Sequence, residues 1–160
     1  MNIYKNFLTK DEFKNIESIM MGRDFPWYFN DGITMDKDGD FQFVFTFIKH
    51  GKKNCRDELF NILKPLLNKL NIKNFNRIKA NLTVKQNKII EYGMHIDQNK
   101  GTTGIFYINN CNGYTKFETG EKIKSEKNKY VEFNSTLKHT GTSLPIIIDS
   151  IFLNSSLVKK

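Results

Sequence analysis

The chain is poor in cysteine, proline, tryptophan and arginine. Among its 160 residues are two Cys, three Pro and one Trp. Cys55 and Cys111 cannot form a disulfide framework and lack zinc-motif spacing, which fits a reducing compartment. No apolar run approaches the roughly 18 residues needed to cross a bilayer. The opening residues, Met1-Asn2-Ile3-Tyr4-Lys5-Asn6-Phe7, lack the charged-then-apolar order of a secretory leader. No membrane partner is expected, and the cytoplasm is the default address. Arginine is confined to Arg23, Arg56 and Arg77, although net charge is +8 and the isoelectric point about 9.4. Nucleic-acid binders group their charge and favour Arg, whereas the lysines here are scattered among Asn and Ile, as AT-rich coding produces. A nucleic-acid partner is the weaker reading of that charge.

What the chain does contain is apolar bulk. Hydrophobic residues make up 39% and aromatic residues 13%, with 14 Phe. That composition is globular and predicts one domain, 1–160, with an aromatic-rich core. No linker, repeat or second domain is visible.

Local patterns sketch the elements. Thr9-Lys10-Asp11-Glu12 is a capping box, followed by Phe13, Ile16, Ile19 and Met20 at helical spacing, so a helix is predicted from Thr9 to Met21, ended by Gly22. Phe25-Pro26-Trp27-Tyr28-Phe29 reads as extended. Asp36-Lys37-Asp38-Gly39-Asp40 looks like part of a calcium loop, but Phe47 stands where the closing glutamate belongs, so it is read as a solvated turn. Phe41–Ile48 should be a strand. Leu59, Leu63, Leu66, Leu67 and Leu70 predict a helix that Pro65 either kinks or restarts.

The remainder reads as β-structure. From Arg77 to Lys85 the alternation is clean: Ile78, Ala80, Leu82 and Val84 point one way, and Arg77, Lys79, Asn81, Thr83 and Lys85 the other. Further strands are predicted near Tyr92–Ile96, Gly104–Asn109, Lys116–Phe117, Tyr130–Phe133 and Ile146–Asn154. The fold class that follows is α+β: a double-stranded β-helix (jelly-roll) core with N-terminal helices packed on one sheet.

Chemistry concentrates at His95-Ile96-Asp97. Residues two apart in a strand share a face, so one imidazole and one carboxylate can meet one cation. His139 is the natural second imidazole. Two His and one carboxylate leave positions open on an iron, the arrangement of non-haem Fe(II) oxygenases. An isolated HxD is weak evidence, since chance supplies it readily.

The surrounding segments add to it. Tyr4-Lys5-Asn6-Phe7-Leu8-Thr9, Phe25-Pro26-Trp27-Tyr28, Arg77-Ile78-Lys79-Ala80-Asn81-Leu82, His95-Ile96-Asp97, Thr102-Thr103-Gly104-Ile105-Phe106-Tyr107-Ile108-Asn109, Gly113-Tyr114-Thr115-Lys116-Phe117 with Gly120, and Asn128–Phe133 leading to His139-Thr140-Gly141 fall in order along nearly the whole chain. Together they resemble the 2-oxoglutarate- and Fe(II)-dependent dioxygenases, and within them the small prolyl-hydroxylase-like members common in phage and marine microbial genomes. The resemblance implies Fe(II) held by His95, Asp97 and His139, 2-oxoglutarate as cosubstrate, and ascorbate as a candidate reductant. It implies oxidative decarboxylation to succinate and CO₂ coupled to hydroxylation of a C–H bond, with no catalytic residue beyond the metal ligands. A peptide or protein side chain is the expected substrate class. Tyr107, Asn81 and Asn109 are the expected neutral cosubstrate contacts.

One part of the pattern is missing. The family holds the far carboxylate of 2-oxoglutarate with a basic residue, usually Arg, on the last strand. From Gly141 to Asn154 this chain has neither Arg nor Lys. Anchored on Asn154, the position falls on Ser150, with Asp149 beside it. Three explanations are open: Lys85 replaces the Arg from another strand; the cosubstrate differs; or the protein binds metal without 2-oxoglutarate turnover. Elsewhere the readings are bland. His50 is a turn residue, Trp27 packs in or near the core, and Arg77 and the Lys122–Lys129 run are solvated surface.

Overall fold

The computed structural model describes residues 1–35, 38–84, 86–143 and 146–152, the last stretch by its backbone. In chain order the elements are β1 (Asn2–Tyr4), α1 (Lys10–Met20), β2 (Tyr28–Asn30), β3 (Gln42–Lys49), β4 (Lys52–Lys53), α2 (Asp57–Asn61), α3 (Lys64–Leu70), β5 (Phe75–Leu82), β6 (Thr102–Tyr107), β7 (Tyr114–Phe117), β8 (Lys122–Lys124), β9 (Lys129–Asn134), β10 (His139–Thr140) and β11 (Ile146–Phe152).

The helices start where side chains permit. Thr9 caps α1: its hydroxyl accepts from the Glu12 N–H at 3.4 Å, and Glu12 Oε2 accepts from the Thr9 N–H at 3.0 Å. Such a cap contributes about 1 kcal/mol. Pro65 restarts the leucine-rich stretch as α3 and does not kink one long helix, because it sits in the first turn of α3, where its missing N–H costs nothing.

Two antiparallel sheets form the rest. The large one runs β1-β9-β6-β11-β5-β3-β2, with β4 appended to β3; the small one runs β10-β7-β8. Strand alternation sends successive residues to opposite sides of the large sheet. Ile78, Ala80, Phe106, Ile108 and Tyr130 join Phe13, Ile16, Met20, Leu63 and Leu66 in the main core on the helix side. Ile105, Tyr107, Val131 and Phe133 join Phe117 and Ile123 in a second, smaller core facing the small sheet. Gly104 is required where β6 passes the Tyr130 ring, since a Cβ there would overlap the phenol.

Two expectations are corrected. The segment Tyr92–Ile96 is not a continuous strand: it makes only isolated bridges, Glu91 with Thr142 and His95 with His139. Its partner β10 is two residues long and pairs as a ladder with β7 on its other edge, so it offers the His95 segment a single bridge. The Lys122–Lys129 run is not solvated throughout. Ile123, Ser125, Asn128 and Lys129 are buried, and the Asn128 amide exchanges two 2.8 Å hydrogen bonds with the Leu8 backbone. The lysines in a β8-type edge expose their heads while the residues between them pack inward.

Candidate metal centre

The backbone itself brings the two histidines together. The His95 N–H donates to the His139 carbonyl at 3.0 Å, and the His139 N–H returns the bond at 2.9 Å. A directly opposed antiparallel pair places both side chains on one face, and here the imidazole centroids lie 4.7 Å apart. Asp97 arrives two residues on, its N–H donating to the Ser135 carbonyl at 3.1 Å. One potential ligand atom from each of His95, Asp97 and His139 lies within 4.8 Å of the other two.

Hydrogen bonds preset the donor atoms. His95 Nδ1–H donates to the Gly93 carbonyl at 3.2 Å, and His139 Nδ1–H to the Leu137 carbonyl at 3.0 Å. A carbonyl can only accept, so each Nδ1 carries the proton and each Nε2 keeps its lone pair for a metal. Burial, and secondarily the neighbouring His139, hold His95 below the usual imidazole range, which favours the neutral, ligating form. Asp97 is nearly enclosed, with its side chain 4% exposed. Its Oδ2 accepts a 2.6 Å hydrogen bond from the Thr103 hydroxyl, which also shares one of 3.0 Å with Ser135, and lies 3.6 Å from His139 Nε2. Its Oδ1 faces Arg77 Nη2 at 3.6 Å. Two imidazoles and one carboxylate form a donor set suited to Fe(II) and similar divalent ions.

These three residues open onto a cavity of about 270 Å³. The wall on one side is β5, through Arg77, Lys79 and Asn81, with Thr83 just beyond it. Thr115, Gly141 and Thr142 come from the small-sheet side. The rim is formed by Ile33, Thr34, Tyr92 and Ile96. Asp38 organises part of that rim by accepting from the N–H groups of Ile33, Thr34 and Met35, and these bonds lower its carboxyl to about 2. Gly93 lets the two rim loops meet, because a Cβ there would press on Thr34 at 3.0 Å. Burial pushes the Tyr92 phenol up to about 12, with Asp40 and Asp38 adding to the effect.

The expected cosubstrate residues are distributed less simply. Asn81 lines the cavity, and its Oδ1 is buried without a hydrogen-bond partner. Tyr107 stands behind the wall: its phenol bonds the Thr115 hydroxyl at 2.7 Å, and Thr115 is the residue that reaches the cavity. Asn109 lies past the end of β6, where its carbonyl accepts from Ser125, away from the cavity lining. Lys85 lies outside the described residues. Ser150 lies on β11, its backbone in register with Ile78 of β5 and Gly104 of β6. His50 stays a turn residue, with φ of 50°.

Sequence reading missed Arg77, Thr103 and Ser135. Arg77 alternates with buried Ile78, which signals only that it leaves the main core. Its contact with Asp97 depends on tertiary register. Thr103 carried a usable signal, because an enclosed carboxylate needs a hydroxyl or N–H donor.

No protein-family model matches the chain, and no curated protein matches it. Solved structures do. A prolyl-4-hydroxylase from Pseudomonas putida superposes with a TM-score of 0.65 at 14% identity, over 96% of this chain and 92% of that one. An oxidoreductase of the 2OG-Fe(II) oxygenase family from Burkholderia pseudomallei gives 0.65 at 12% identity, over 92% of this chain and 81% of that one. At these identities the likeness is one of fold.

Proposed function

We propose that this chain is an Fe(II)- and 2-oxoglutarate-dependent oxygenase on a double-stranded β-helix core, hydroxylating a peptide or protein side chain. The observation that carries the reading is the convergence of His95, Asp97 and His139 on one cavity, with both Nδ1 atoms tied to carbonyls. The fold likeness to two oxygenases supports it, as does the order of motifs along the sequence.

The chemistry supplied by the bound metal with 2-oxoglutarate and O₂ is oxidative decarboxylation to succinate and CO₂, coupled to conversion of a substrate C–H into C–OH. The chain's own residues set the conditions. His95 and His139 present Nε2, and Asp97 presents a carboxylate whose orientation Thr103 fixes. We assign the far carboxylate of the cosubstrate to Lys79. Cavity-facing residues on a strand recur about every 6.7 Å, so Lys79 lies one such step along β5 from Arg77, which itself reaches Asp97. A lysine head is a point charge and not a fork, so it fixes a carboxylate less rigidly than Arg. Ile33, Tyr92 and Ile96 at the mouth suit a substrate with both apolar and hydrogen-bonding surface.

A second reading has its own observation. From Gly141 to Asn154 the sequence carries neither Arg nor Lys, so the site would also suit a 2-oxo acid without a second carboxylate, or a metal without turnover. Iron-dependent succinate formation from 2-oxoglutarate separates these. The oxygenase reading expects it, and expects its loss in His95→Ala. No succinate from iron-loaded protein, or unchanged turnover in that variant, would overturn it.

A further inference from the structure

We infer that Arg77 is a positioning residue that confines Asp97 to ligating the metal through one oxygen. The inference rests on the metal-binding reading above and concerns a residue outside the ligand set.

The two oxygens of Asp97 keep different company. Oδ2 is turned toward the imidazoles, 3.6 Å from His139 Nε2, and is steered there by the 2.6 Å bond from Thr103. Oδ1 is turned the other way, 3.6 Å from Arg77 Nη2. A carboxylate that clasps an ion with both oxygens must present both to it. The guanidinium stands on the Oδ1 side, so a dication sharing both oxygens would sit against a fixed positive charge. Arg does not lose its proton in proteins, so this charge is permanent. Arg77 lies on β5 between β3 and β11, its neighbour Ile78 is 1% exposed, and its own side chain is 36% exposed. Asp97 has little freedom to turn, with its side chain 4% exposed and its N–H bonded to Ser135.

The consequence is a count of open positions. Two imidazole nitrogens and one carboxylate oxygen leave about three of the six octahedral positions, and a second Asp97 oxygen would take one of them. A cosubstrate that binds through two atoms and O₂ together need all that remain. Arg77 therefore acts on the metal's vacancies through Asp97, without being a ligand.

The test uses the full chain loaded with Mn(II). Water-proton relaxation reports the waters on the bound ion, and difference infrared spectroscopy with and without Mn(II) reports whether a carboxylate is bound by one oxygen or two. Wild type should show the wide separation of carboxylate stretches that marks one-oxygen binding. Arg77→Gln should narrow it and lower the bound-water relaxation by about one third, as one of about three waters is displaced. Arg77→Lys, which keeps the charge, should resemble wild type. A narrow separation in wild type overturns the inference whether or not the variants fold. So does an Arg77→Gln protein that binds Mn(II) with wild-type relaxation, and in both cases the metal-binding reading survives. Wild type that takes up no Mn(II), Co(II) or Fe(II) overturns the metal-binding reading and this inference with it.

Discussion

On the helix side of the large sheet, Ile78, Ala80, Phe106 and Ile108 are sealed under α1 and α3. On the opposite side, Ile105 and Tyr107 of β6 enter the second core, while Arg77, Lys79 and Asn81 of β5 and Thr103 of β6 bear charge or hydrogen-bonding groups. The backbone is shared, so the contrast comes entirely from the two-residue period of the strand. The apolar side provides rigidity. The polar residues of the other side bring Arg77 and Thr103 within 3.6 Å and 2.6 Å of the Asp97 carboxylate. Stability and ligand binding should therefore respond to different substitutions on a single sheet.

The largest effect expected is from Asp97→Ala, which removes the carboxylate of the proposed metal site. Calorimetric Fe(II) or Mn(II) titration should show a loss exceeding the roughly 100-fold seen for changes behind a metal ligand, with the melting temperature of the metal-free protein nearly kept. Next is Ile78→Ala on the other side, where a cavity in the main core should cost about 2–5 kcal/mol by urea unfolding, leaving metal affinity unchanged once the protein is folded. A parallel loss of both properties in either variant would break the contrast.

Thr103→Val tests the boundary between the sides. It keeps shape and removes the hydroxyl that fixes Asp97, so metal affinity should fall by roughly 10–100-fold, again by titration. The smallest effect concerns Glu91, which joins the rim segment to β7 and β8 through Lys116, Tyr114 and Lys122. The bond from Lys116, then those from Tyr114 and Lys122, lower its carboxyl to about 2. Because the folded value is depressed, its contribution is full above the ordinary value of 4.5 and is lost as pH falls toward about 2. Melting temperatures of wild type and Glu91→Gln should accordingly converge as pH falls through that window, and metal affinity at neutral pH should change little.

Much of this was legible in the sequence. The capping box at Thr9 and the two faces of β5 follow from short-range rules, because each depends on residues within one or two turns or pleats, whereas the leucine spacing left a kink and a restart at Pro65 both open. His139 was the natural second imidazole for His95-Ile96-Asp97, the resemblance strengthened that pairing, and the structure opposes His95 to His139 through a backbone bridge. What could not be read depended on register between distant segments. Arg77 meets Asp97 only because β5 and the Asp97 segment line the same cavity. Asn128 reads as a turn residue, and its bonds to Leu8 span almost the whole chain.

The most direct test of the account is anaerobic titration of the Fe(II)-loaded protein with 2-oxoglutarate, watching for the visible charge-transfer band of a chelated 2-oxo acid. The account predicts that the band forms, and that Lys79→Ala raises the half-saturating concentration by roughly 10-fold or more, as expected for loss of one charge-assisted hydrogen bond. Iron that binds at His95, Asp97 and His139 while 2-oxoglutarate produces no band would contradict it.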